Sequence, residues 1–144
     1  MKDCKDGAGM KPSEVLDRAA DIIIRDGWLQ GHYYLEVDWE DCADDRAELD
    51  RKARESAPCC QAGAISRAAY GVAWRSAWRR LDERVSEAQK FAAAKAEGYM
   101  QQYVREVLGS RVSSIAWNDA PDTTAEDVID ALRGAAGLAR ASGE

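Results

Sequence analysis

A chain of 144 residues, 46% of them hydrophobic, has the size of one domain and enough apolar side chain to bury a core. Its 20 Lys and Arg against 26 Asp and Glu give a net charge of −6 and a pI near 4.9, which argues against a nonspecific grip on nucleic-acid phosphates. No run approaches the roughly 18 apolar residues needed to cross a bilayer and the N-terminus lacks a signal-peptide core, so a cytoplasmic protein without membrane contact is expected.

Four cysteines, Cys4, Cys42, Cys59 and Cys60, are then expected as free thiols, and they contain no Cys-x-x-Cys pair that would point to zinc. The single histidine, His32, rules out a two-imidazole metal site within one chain and leaves any triad-type hydrolysis dependent on that one residue.

Residues 1–11 carry Gly7 and Gly9 and no apolar periodicity, which reads as a mobile N-terminus. A helix is predicted to follow Pro12 and Ser13 and to run to about Asp26. Val15, Ala19, Ile22 and Ile23 recur on one side, Glu14, Asp17, Arg18, Asp21 and Arg25 lie on the other, and Gly27 is placed to end it. From 33 to 40 the period shortens to two: Tyr33, Leu35, Val37 and Trp39 alternate with Tyr34, Glu36, Asp38 and Glu40. That is the pattern of a half-buried strand or of an extended loop laid over helices. A strand would need a partner, supplied by residues 111–117, a second copy of the chain or a foreign strand. Residues 41–58 are mostly charged and read as a solvated insertion, with Leu49 as their large apolar residue.

Pro58 opens a second helix predicted over 59–73, whose face of Cys60, Gly63, Ala64, Ala68 and Val72 is small enough to admit a neighbouring helix closely. Trp74, Trp78, Leu81, Val85, Ala88 and Ala92 follow at steps of four and three, a heptad seam on one long helix that packs on its own domain or on a second chain. Gly98 is expected to weaken or kink that helix before Tyr99, Tyr103, Val104, Val107 and Leu108 resume the pattern, and Gly109 and Ser110 to stop it. Ile115 and Trp117 then run into an Asn118-Asp119 turn and Pro121, and Thr123 and Glu126 have the spacing of a capping box. A last helix is predicted from 125 to 141, with Val128, Ile129, Leu132, Ala135 and Ala136 buried and 142–144 as a tail. The expected fold is mainly α: one domain over 12–141, a bundle of four to five helices with at most a small two-stranded β element.

In combination, some of these residues resemble a known family. They are the helix closing on Asp26-Gly27-Trp28, the run Cys60-x-x-Gly63-Ala64-Ile65-x-x-Ala68, and Ile115-x-Trp117-Asn118-Asp119 with Thr124 and a Val-x-x-x-Leu helix. The family is one of small uncharacterised proteins of actinobacteria and their phages. The resemblance covers 13–28, 60–70 and 115–136, and the stretches between look like additions. It implies a phage or mobile-element setting and brings no assigned activity.

Two sets of residues are candidates for function. The aromatic surplus is large for a small acidic domain, and interfaces are enriched in Trp and Tyr. Tyr33, Leu35, Val37, Trp39, Trp74, Trp78, Leu81 and Val85 are therefore the expected interface, with a host protein or a second copy of the chain as partner and a homo-oligomer as the expected state. The second set is Cys60, Trp117, Asn118 and Asp119, a possible ligand pocket between the second helix and the turn. A thiol at a helix N-terminus has its pKa lowered, although a cysteine beside glycine and alanine is more often a small buried residue. Asn118 and Asp119 equally suit a turn that bonds its own backbone. Neither a metal nor a cofactor is called for. The function expected is non-catalytic protein binding, with a small-ligand binder or enzyme at the second set as the alternative.

Overall fold

The computed structural model describes residues 10–32, 52–53, 55–71 and 85–144. The first helix, α1, spans Pro12–Asp26 and so takes in Pro12 and Ser13, which the sequence pattern places before it. Proline at its first position has no N–H to leave unpaired, Glu14 accepts the Lys11 backbone N–H at 2.8 Å, and Gly27 with φ of +100° ends it. Further helices among the described residues are α2 (Gln61–Tyr70), α3 (Glu87–Gln102), α4 (Ser114–Asn118) and α5 (Ala125–Ala141). Among the described residues there is no strand; a single parallel bridge joins Trp28 to Cys59. The fold is mainly α.

Helix α1 packs against α2, α3 and α5, and α3 also touches α2 and α5. Leu16, Ile65, Met100 and Leu132 are fully buried, one from each of these four helices, and each contributes roughly 1.5–3 kcal/mol by leaving water. Around them the core is largely alanine: Ala19 and Ala20 on α1, Ala64 and Ala68 on α2, Ala92, Ala93 and Ala96 on α3, and Ala131, Ala135, Ala136 and Ala139 on α5. Such small faces allow helix axes to approach to about 8 Å. Ion pairs from Arg140 to Asp17 at 2.8 Å and from Arg133 to Asp21 at 3.3 Å run in opposite senses along α1 and α5, so these two helices are antiparallel. Both pairs are exposed and fix orientation more than they add stability.

Several predicted boundaries move. Helix α2 begins at Gln61, not at 59, because the Cys60 sulfur caps it by accepting the Gly63 N–H at 3.4 Å; Gly71, with φ of +88°, ends it before Ala73. The single long helix expected through Val85, Ala88 and Ala92 is interrupted. Ser86 caps α3, its hydroxyl accepting the Gln89 N–H at 3.1 Å while the Gln89 side chain returns to the Ser86 N–H. Val85 therefore lies outside the helix, Ala88 is exposed, and the buried stripe is Gln89, Ala92, Ala93, Ala96 and Met100. Trp74, Trp78 and Leu81 lie outside the described residues, as do Tyr33, Leu35, Val37 and Trp39.

Gly98 does not break α3, which continues to Gln102. The irregularity falls instead on Tyr103–Val107, a π-helical turn in which the Leu108 N–H reaches the Tyr103 carbonyl at 3.1 Å. A π turn widens the helix locally and rotates the side chains beyond it. Val104 stays buried while Val107 and Leu108, expected to continue the stripe, are turned outward. The turn also lays the Tyr103 ring on Gly134 of α5, where any Cβ would overlap the ring.

Residues 114–118 form α4, not a strand partner, with the Ser113 hydroxyl accepting the Ala116 N–H at 3.2 Å. The capping box of α5 sits one residue later than predicted, on Thr124 and Asp127. Thr123 is buried and its hydroxyl donates to the Trp117 carbonyl at 2.7 Å. Met10, placed in the terminus by sequence, packs against the core. Among the described residues no helix is long and apolar enough to cross a membrane.

Candidate functional site

Three segments meet at Asn118, the last residue of α4, which is 1% exposed. Its Oδ1 accepts the Trp28 indole N–H at 2.8 Å and the Gln61 backbone N–H at 3.1 Å. Its Nδ2 donates to the Leu29 carbonyl at 3.3 Å and to Asp119 Oδ1 at 3.0 Å. The same Asp119 oxygen accepts the Gly31 N–H at 2.8 Å, and Gln30 Nε2 donates to the carbonyls of Asn118 at 3.0 Å and Ala120 at 2.7 Å. The segment after α1 is thus clipped to α4, while the bridge between Trp28 and Cys59 holds it to the residues leading into α2.

The sequence-predicted set of Cys60, Asn118 and Asp119 is therefore brought together, and Trp117 lies half-buried against the core. The partners Trp28, Gln30 and Gln61 were not foreseen. An Asn amide has two donors and two acceptor sites, and all four are filled at Asn118. Its side chain joins parts of the fold and has no capacity left for a ligand.

The two thiols behave as core groups. Cys59 and Cys60 are buried and unbridged. Burial pushes the Cys59 thiol up to about 11, against the pull of Arg67, whose Nη1 lies 3.8 Å from the sulfur. Burial also raises Cys60, outweighing the Gly63 N–H that would favour its thiolate, so the lowering expected at a helix start does not occur. A thiol raised in the folded state gives stability that is complete below its unfolded pKa and is lost as pH rises. The wild type should lose about 2 kcal/mol more than Cys59→Ala between pH 8 and pH 10.5, the span in which an unfolded thiol ionises and the buried one does not. Urea midpoints at the two pH values measure it; equal losses in both proteins would remove Cys59 from the account.

A concave site lies on the far side of Trp117. A groove of about 570 Å³ is lined by Tyr103, Leu108 and Trp117, with Ala120, Thr123 and Ala131 beneath and Asp122, Asp127 and Asp130 around it. Leu108 also belongs to an aliphatic strip of sequence, residues 107–115, in which the large side chains Val107, Leu108, Val112 and Ile115 are 54%, 45%, 50% and 47% exposed. The π turn places Tyr103 in the groove and is followed directly by the exposed Leu108, and heptad counting carries no signal for it.

The model of a family of unknown function, DUF6197, matches residues 8–138. The chain belongs to the DUF6197 family. The matched span contains the three stretches that carry the resemblance, and the Asn118 clip and the groove both lie within it. No curated protein and no solved structure matches the chain.

Proposed function

We propose that this DUF6197 member is a non-catalytic binding domain that acts on another protein in the cytoplasm, encoded by a phage or mobile element of an actinobacterial host. The observation that carries the reading is the exposure of four large aliphatic side chains within residues 107–115, Val107, Leu108, Val112 and Ile115, of which Leu108 also lines the groove. Apolar side chains left together on a surface are characteristic of protein contact sites. The filled hydrogen-bond capacity of Asn118 and the raised thiols weigh against chemistry at Cys60. The actinobacterial and phage setting rests on the resemblance in 13–28, 60–70 and 115–136.

The test is photo-cross-linking in the host cell from a reactive residue placed at Val112 or Ile115, with Ile24 of α1, 56% exposed, as the control position. One discrete adduct from Val112 and Ile115 and none from Ile24 is expected. An adduct with the mass of a second copy would assign the strip to self-assembly, and no adduct, or the same adducts from all three positions, would defeat the proposal.

A further inference from the structure

The groove adds a charge to this surface, and the charge bears on what binds there. Asp122, Asp127 and Asp130 are all exposed, and among the described residues none is joined to a basic side chain. The nearby arginines of α5 are committed elsewhere, Arg133 to Asp21 and Arg140 to Asp17. Asp127 is explained by the fold, since its carboxylate accepts the Thr124 N–H at 3.0 Å as the cap of α5. The other two are not. Asp122 precedes the helix, and Asp130 lies beyond the first turn, where complementing the helix dipole fades. Both line the groove together with Tyr103 and Trp117.

Aromatic faces ringed by carboxylates attract a cation: the rings by their quadrupole, the carboxylates by charge. Leu108 is shared between the groove and the aliphatic strip, so an occupant that fills one and covers the other must extend beyond a small molecule. We infer that the groove receives an arginine or lysine side chain from an amphipathic segment of a partner protein, whose apolar residues lie along Val107, Leu108, Val112 and Ile115. The inference rests on the protein-binding reading and specifies its partner as basic and apolar. Charge complementarity favours a foreign partner over a second copy of this chain, which carries a net charge of −6.

The experiment is an NMR titration of the isotopically labelled full chain with three amphipathic peptides of equal length, a leucine–lysine, a leucine–glutamine and a leucine–glutamate repeat. The leucine–lysine peptide should bind, shift the amides of Leu108, Trp117 and Asp130, and weaken as salt is raised. The double variant Asp122→Asn with Asp130→Asn changes two exposed side chains and should retain the wild-type spectrum elsewhere, while its affinity for the leucine–lysine peptide falls at least about tenfold. Equal binding of the three peptides, unchanged affinity in the double variant, or shifts at these amides that appear on concentrating the protein alone would each overturn the inference. If no peptide binds while the Val112 and Ile115 cross-links persist, charge selection at the groove is wrong and the protein-binding reading stands.

Discussion

Replacing Asn118 by alanine should destabilise the fold by about 3 kcal/mol, because it removes one side chain that satisfies groups from three segments. The Gln61 N–H is left inside the protein without an acceptor, and the Leu29 carbonyl loses its donor. The half-buried Trp28 indole can turn to water, which keeps the loss below the sum of the separate bonds. Asn118→Asp separates acceptor from donor. It retains an Oδ1 for Trp28 and Gln61 but sets a second carboxylate where Nδ2 now meets Asp119 Oδ1 at 3.0 Å. Like charge and burial both raise the folded-state pKa of the introduced acid. The sign follows directly: a raised acid binds more protons folded than unfolded, so the destabilisation of this variant relative to wild type is smallest below pH of about 4 and grows as pH rises. Urea denaturation with an unchanged slope would report both effects. A midpoint for Asn118→Ala within about 0.5 kcal/mol of wild type, the range of an ordinary surface change, would deny Asn118 its role.

The long-range character of that clip explains why it was not legible in the sequence. Helices α1 and α5 are legible in the sequence because an apolar face repeats along them, with Gly27 after α1 and a threonine cap before α5, although α1 begins two residues before the predicted start. Thr123 and Thr124 stand before Glu126 and Asp127, so two capping boxes one residue apart were equally spaced, and burial of the Thr123 hydroxyl under Trp117 decided between them. At Ser86 the signal was present, since Ser-x-x-Gln is itself a capping box, but an alanine-rich helix with several apolar registers let a heptad run through it. Ile115 and Trp117 alternate in a segment too short for its period to distinguish helix from strand. Nothing in the pattern around Trp28 or Gln30 names residues some 90 positions away as partners. The groove includes Tyr103 at the start of the π turn, and that ring lies on Gly134, a contact about 30 residues away that local composition does not announce. Gly134 in the middle of a helix was the available hint, because glycine there is unfavourable unless something must approach closely.

Arg67→Ala should cost about 3 kcal/mol, the low end for breaking a buried ion pair. The Arg67 side chain is 2% exposed and pairs with Asp26 at the end of α1. Its guanidinium also donates to the Glu55 carbonyl and, at 3.0 Å, to the Ala57 carbonyl, so one planar fork ties residues 55–59 to two helices. Arg25, bonded to Asp26 at 2.8 and 3.0 Å, keeps the carboxylate partly compensated when Arg67 is removed, which is why the low end applies. Arg67→Lys should recover only part of the loss, because a single ammonium cannot reach the carboxylate and both carbonyls in that geometry. The pair also sets an acid limit. Hydrogen bonding from Arg25, then from Arg67, holds the Asp26 carboxyl below its usual range. Its contribution is therefore present above the unfolded pKa of about 3.9 and lost as pH falls through the lower folded value. Asp26→Asn should flatten that acid limb while leaving Arg67 buried without a counter-charge. Hydrogen exchange separates a local from a global effect: in Arg67→Ala the Ala57 N–H, bonded to the Ala53 carbonyl, and the Cys59 N–H, bonded to the Gly27 carbonyl, should lose protection before the amides of α5. Uniform loss across all of these amides would mean that Arg67 supports the whole bundle and not the docking of residues 55–60 onto it.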